Sequence, residues 1–261
     1  TPEIYNGIGS CYDALGDNIE AVRYYKKAMN LDPFNSDYCI NYGTTFAKAG
    51  LYDSAIIYFN QAIQLNSENY LAYSNIGAMY ALKGEYDKAI SFLNKANELS
   101  PNNVSNLINL ANCYLEKNMI LDARKIYTKV LEIDCEIADV FSGIGYTYSL
   151  DNDSKRAIEY YLKAIDLDPY MASYHFNLAI AYEKIEQYEK ALETYIECIN
   201  LDKFYIKAIY NCGLLYAQLE EFKAADEMVD KLKSFKPDIA KTMEGSIEAI
   251  KKAIESFKDN N

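Results

Sequence analysis

The chain has 261 residues, half of them hydrophobic, with 5 Pro, 11 Gly, no Trp and 26 Tyr. That composition excludes disorder and a loop-rich or collagen-like fold, and it suits long helices. The 38 acidic and 26 basic residues leave a net charge of −12, which repels phosphate backbones, argues against nucleic-acid binding and favours a basic partner.

No apolar run approaches the ~18 residues that a membrane helix needs, and no charged segment followed by an apolar stretch opens the chain. A membrane partner is therefore not expected, and a cytoplasmic location is. The chain starts at Thr1 and not at Met, which leaves upstream residues open.

Thr1-Pro2-Glu3 reads as a helix start, with Thr as N-cap and Pro at the first helical position. From there one period governs the chain. Ala21, Ala55, Ala89, Ala123, Ala157, Ala191 and Ala225 are spaced 34 residues apart without a break. Nine residues before each stands an aromatic: Tyr12, Phe46, Tyr80, Tyr114, Tyr148, Tyr182 and Tyr216. Three residues before each aromatic is a tiny residue: Gly9, Gly43, Gly77, Ala111, Gly145, Ala179 and Gly213. Seven residues after each Ala comes a looser small position: Ala28, Ala62, Ala96, Val130, Ala164, Cys198 and Leu232. A fixed period of this length is the mark of a repeat array. It divides residues 2–239 into seven repeats: 2–35, 36–69, 70–103, 104–137, 138–171, 172–205 and 206–239.

Within a repeat the pattern is helix, short turn, helix. In the third, Leu71, Tyr73, Ile76, Met79 and Tyr80 follow a helical period. Lys83-Gly84-Glu85 breaks it, with Gly84 suited to the residue just past the helix end. Tyr86, Ala89, Ile90, Leu93 and Ala96 form a second amphipathic run that stops at Leu99-Ser100-Pro101. Similar stops recur at Leu31-Asp32-Pro33, Leu167-Asp168-Pro169 and Lys236-Pro237. The columns have a packing logic. The tiny residue lets two helices approach, the aromatic fills the gap between neighbouring hairpins, and the Ala marks where the second helix touches the first. A larger residue at Ala89 overpacks that contact, at a cost of roughly 1–3 kcal/mol. A lone hairpin cannot bury its apolar face, so the hairpins must stack.

The run Tyr73, Ile76-Gly77, Tyr80, Ala89, Leu93, Ala96 and Pro101 is similar to the tetratricopeptide repeat signature. The resemblance extends over about nine-tenths of the chain, with mild departures. The fourth repeat has Ala111, Val130 and Cys135 at the family's Gly, Ala and Pro positions. The sixth has Cys198 and Lys203 at the Ala and Pro positions, and the seventh has Cys212 and Leu232 where Leu and Ala are usual. The resemblance implies an all-α solenoid, a right-handed superhelix of antiparallel helix pairs that binds peptides or proteins in its concave groove. After Pro237 the period ends. Asp238 to about Phe257 reads as one more helix, with Ile239, Met243, Ile247, Ile250, Ile254 and Phe257 on one stripe. Residues 240–261 are expected to cap the stack, the alternative being a helix that pairs with another molecule.

One column of the first helices carries Asn41, Asn75, Asn109, Asn177 and Asn211, with Gly7 and Gly143 in the first and fifth repeats. An amide both donates and accepts, so it can hold a peptide backbone without reading side chains. The column resembles the asparagine ladder in the repeats of the nucleocytoplasmic sugar transferase that modifies Ser and Thr, and this implies extended-peptide binding, the alternative being that Asn is simply common at this position in the family. Beside it lie Ile40, Ile108, Tyr146, Phe176, Ile180, Tyr210 and Leu214, read as an apolar floor of the groove or as residues partly buried between first helices. Relatives that grip acidic chaperone tails use a basic clamp, where this chain has Asn6, Ser10, Asn41, Leu71 and Asn75. No chaperone-tail binding is expected.

Catalysis finds no support. The six cysteines Cys11, Cys39, Cys113, Cys135, Cys198 and Cys212 contain no CxxC pair, so metal binding is not expected and reduced structural thiols are. His175, the lone histidine, falls where other repeats place Phe141, Tyr73 or Leu107 and reads as a packing ring. Gly43, Gly77 and Gly145 lie inside helices and make no phosphate loop. The expectation is a non-enzymatic binding scaffold without cofactors. Its alternatives are the substrate-recruiting array of a larger enzyme such as a glycosyltransferase, and a self-associating module, a homo-oligomer.

Overall fold

The computed structural model describes residues 1–259, and they divide into two compact blocks, Thr1–Cys135 and from Glu136 onward. The described residues form fifteen helices and no strand. The N-terminal block holds α1 (Pro2–Ala14), α2 (Asn18–Leu31), α3 (Ser36–Lys48), α4 (Tyr52–Leu65), α5 (Tyr70–Leu82), α6 (Tyr86–Leu99), α7 (Val104–Glu116) and α8 (Ile120–Ile133). The C-terminal block holds α9 (Ala138–Leu150), α10 (Ser154–Leu167), α11 (Ala172–Lys184), α12 (Tyr188–Leu201), α13 (Ile206–Gln218), α14 (Phe222–Lys233) and α15 (Pro237–Asp259).

In the N-terminal block each odd-numbered helix pairs with the even-numbered helix after it, and α2, α4 and α6 pack on the odd helix that follows. The odd helices also touch in succession, α1 with α3, α3 with α5 and α5 with α7, and so form one layer. In the C-terminal block α9 to α14 pair in the same way, α9 touches α11, and α15 lies against α14 and α13.

The odd helices from α1 to α13 all end the same way. Gly16, Gly50, Gly84, Asn118, Asn152, Glu186 and Glu220 have φ between 57° and 79°. Around each, two backbone bonds close the helix end, as in Gly84 N to Ala81 O at 2.9 Å and Glu85 N to Tyr80 O at 2.9 Å. This is the Schellman arrangement, and it satisfies carbonyls that a helix end leaves free. Several helix starts are capped by side chains: Asp17, Asn35, Asn103 and Asp153 each accept from the backbone N–H of the second or third helical residue. Thr1 occupies the cap position of α1 with Pro2 behind it, but its side chain makes no capping bond.

The small columns form the contact between the two helices of a hairpin. Ala21, Ala55, Ala89, Ala123, Ala157, Ala191 and Ala225 are fully buried, as are all the residues seven positions later. A Cβ on Gly77 would sit 2.6 Å from Leu93 Cγ and 3.2 Å from the Ala89 carbonyl oxygen, so only the smallest side chains let α5 and α6 meet there. The aromatic column has two roles where one was expected. Tyr12 stacks on Tyr24 at 5.5 Å, Phe46 on Tyr58 at 5.4 Å, Tyr80 on Phe92 at 5.6 Å and Tyr148 on Tyr160 at 5.5 Å, each within its own hairpin. Tyr114 and Tyr182 also pack against the core of the preceding hairpin.

Helix α15 buries Ala240, Met243 and Ile247, and Met243 fills the space over Gly213. Its stripe outruns the surface beneath it, because Phe257 is 72% exposed. Among the described residues no helix is long and apolar enough to cross a membrane.

Candidate peptide-binding surface

The polar chemistry of the odd-helix layer is built from beneath by tyrosines of the even helices. Tyr25, Tyr127, Tyr161 and Tyr195 occupy one position of the 34-residue period, and their rings are buried. Gly9 and Gly145 face the rings of Tyr25 and Tyr161 at 2.8 Å from where a Cβ would stand. The hydroxyls emerge beside the odd helix. Tyr127 donates to Asn112 Oδ1 in a short contact, and the Tyr161 hydroxyl lies 3.2 Å from Ser149 Oγ. Tyr195 donates to Glu183 Oε2 at 2.8 Å and accepts from Asn211 Nδ2 at 3.4 Å. Burial pushes the Tyr161 hydroxyl up to about 12, and burial together with the Glu183 charge raises that of Tyr195. The remaining repeats have Phe59, Leu93 and Val229 at this position. The column is therefore mixed in polarity, which is why the sequence pattern does not expose it; its signal is the recurrence of a bulky side chain sixteen residues after the tiny one.

The asparagine column lies on the odd helices α3, α5, α7, α11 and α13. All five residues are half-buried. Asn41 donates to Asn6 Oδ1 at 2.9 Å, and Asn211 donates to Tyr195. Asn75, Asn109 and Asn177 make no side-chain hydrogen bond to any described residue. These three amides sit at the protein surface, where their donors and acceptors are open to solvent or to a ligand.

The expected apolar floor divides. Tyr146 is 45% exposed, and Ile180 and Leu214 are half-buried at the equivalent positions of α11 and α13. Tyr210 is half-buried, and its hydroxyl lies 3.2 Å from Ser246 Oγ of α15. Phe176 requires correction: it is buried, with its ring centroid 6.1 Å from Tyr195 and 5.1 Å from Tyr205. It supports the layer from inside and offers a ligand little surface. Ile40 is buried in the same manner.

His175 is buried at the start of α11, with Nε2 2.9 Å from the Pro169 carbonyl oxygen. The six thiols are free; Cys39, Cys113, Cys198 and Cys212 are buried, whereas Cys11 and Cys135 are exposed. Burial pushes Cys113 up to about 11 and Cys198 and Cys212 up to about 12, which keeps these thiols protonated and inert near neutrality. No group of potential metal ligands occurs among the described residues.

Comparison with known proteins places this architecture. Three tetratricopeptide repeat family models match the chain, one over residues 69–136, one over 2–35, 36–69 and 138–170, and one over 160–193. No curated protein matches. Among solved structures, a tetratricopeptide repeat protein from Parabacteroides merdae is 17% identical with a TM-score of 0.72, over 95% of this chain and 98% of that one. YrrB, described as a TPR protein with an unusual peptide-binding site, is 19% identical with a TM-score of 0.60, over 72% of this chain and 96% of its own. MamA is 26% identical with a TM-score of 0.57, over 64% of this chain and 97% of its own. The paired helices, the glycine-lined contacts within hairpins and the matching family models lead to one assignment: the chain belongs to the tetratricopeptide repeat family.

Proposed function

We propose that this protein is a non-catalytic interaction scaffold that holds extended segments of other proteins along the odd helices of each block. In the N-terminal block the contacts come from Asn75 and Asn109. In the C-terminal block they come from Asn177, flanked by Tyr146, Ile180 and Leu214. The observation that carries this reading is the three half-buried amides without a hydrogen-bond partner. Amides with no partner inside the protein are free to bond a ligand, and an extended backbone supplies both an N–H and a C=O at each residue. YrrB, a structural neighbour described as having a peptide-binding site, adds support from the fold.

The test is capture of partners from a lysate by the wild-type chain and by the triple variant Asn75→Ala, Asn109→Ala, Asn177→Ala. Three lost hydrogen bonds at roughly 0.5–1.5 kcal/mol each weaken binding by about tenfold or more. Helical circular dichroism should remain unchanged. Undiminished capture of the same partners would remove the reading.

A further inference from the structure

We infer that the odd-helix face of the C-terminal block receives a positively charged side chain of the bound segment, Lys or Arg, between Glu183 and the amide oxygen of Asn211. This rests on the extended-peptide reading above and specifies one residue of the ligand.

The assignment follows from a proton count. Tyr195 has a single hydroxyl proton, and it goes to Glu183 Oε2 at 2.8 Å, because a carboxylate only accepts. The hydroxyl oxygen can then only accept from Asn211, so the amide nitrogen Nδ2 faces it at 3.4 Å. The Asn211 orientation is thereby fixed, and Oδ1 is the atom turned away from Tyr195. No described residue donates to that oxygen. Where Asn75, Asn109 and Asn177 can turn either way, Asn211 presents an acceptor.

Glu183 adds charge to the same place. It is half-buried, and no described cation forms an ion pair with it. Its neighbour Lys184 is directed elsewhere, to the Ser149 carbonyl at 3.4 Å. In the other hairpins the emerging tyrosine hydroxyls meet the neutral Asn112 and Ser149. A surface carboxylate with no cation beside it is open to a charge-assisted bond from a cation of the ligand. The Glu183 carboxylate and the Asn211 amide both hydrogen-bond to the Tyr195 hydroxyl, which gathers a charged and a neutral acceptor around one residue, a set that suits an ammonium or guanidinium group. Tyr146, Ile180 and Leu214, at equivalent positions of α9, α11 and α13, offer apolar surface along which the aliphatic stem of Lys or Arg can lie.

The experiment uses the full chain and a positional-scanning library of 12-residue synthetic peptides, with one position at a time fixed as Lys, Arg, norleucine or Glu. The wild type should enrich Lys or Arg over Glu at one position by about tenfold or more. Glu183→Gln should flatten that preference while leaving total peptide capture within about threefold, since the backbone contacts persist. A basic preference that is equal in wild type and Glu183→Gln overturns the inference, as does enrichment of norleucine or Glu at every position. Failure of the wild type to capture any library member removes the peptide reading itself, and the two failures are thus told apart.

Discussion

At Glu186 and Glu220 the chain adopts φ of 60° and 64°, where Gly16, Gly50 and Gly84 adopt the same left-handed turn with no Cβ to obstruct it. A residue with a Cβ is disfavoured there by roughly 1–2 kcal/mol, and glycine returns about 0.5–1 kcal/mol of that through its freer unfolded chain. Glu186→Gly and Glu220→Gly should therefore each stabilise the protein by about 0.5–1 kcal/mol, seen as a higher urea midpoint. Glu220 pairs with Lys258 in an exposed ion pair, and losing it weighs little against the backbone gain. A lower midpoint for Glu186→Gly would show that its turn is held by something other than the backbone. The buried thiols and Tyr161 make a second prediction at this scale. Their folded values lie at about 11 to 12, above the ordinary 9.0 for Cys and 10.0 for Tyr. The unfolded chain thus releases these protons first as pH rises, and the stability they confer is complete below about pH 9 and drains away between 9 and 12. Thermal melts across pH 7 to 12 should be level at first and then fall. A melting temperature that held constant through pH 12 would mean that these groups ionise alike in both states.

At the scale of the element, α15 shows how much an amphipathic stripe can promise. Met243 is fully buried and occupies the space above Gly213, while Phe257, fourteen residues further along the same stripe, is exposed. Met243→Ala should cost about 2–5 kcal/mol in urea unfolding, and Phe257→Ala should stay within about 0.5 kcal/mol. Equal effects would mean that the helix docks along its whole length. The 34-residue columns were legible in the sequence because a helix pair in contact tolerates only small side chains at fixed places, and the fully buried alanines follow from that constraint. The emergent tyrosines were not legible. Their ring size is shared with Phe59, but the destination of the hydroxyl depends on how closely two helices approach, which no column of letters records. Phe176 and Ile40 were misplaced for a related reason. Ile108 and Tyr210 hold the same position of α7 and α13 and are half-buried, so it is local cover that decides: the rings of Tyr195 and Tyr205 close over Phe176, which residue spacing does not record.

At the scale of the whole molecule, the proposed segment-binding role carries an expectation about charge. The net charge is −12, and the odd-helix layer of the N-terminal block presents amides and small residues at positions where a basic clamp would stand. Lys48, the basic residue at the end of α3, is engaged with Asp13. Lys83 and Lys117 bridge neighbouring hairpins to Asp53 at 2.6 Å and Asp87 at 2.5 Å. Such exposed pairs add little to stability, but they occupy cations that could otherwise meet an anionic ligand. An acidic peptide ending in a free carboxylate, such as a chaperone tail, is therefore expected to meet net repulsion. Fluorescence anisotropy with a labelled tail peptide of this type should detect no saturable binding at physiological salt. The same chain at low salt should repel the peptide further, because screening weakens as the Debye length grows. Low-micromolar binding that tightened as salt was removed would show a basic site on this surface and would reverse the charge argument.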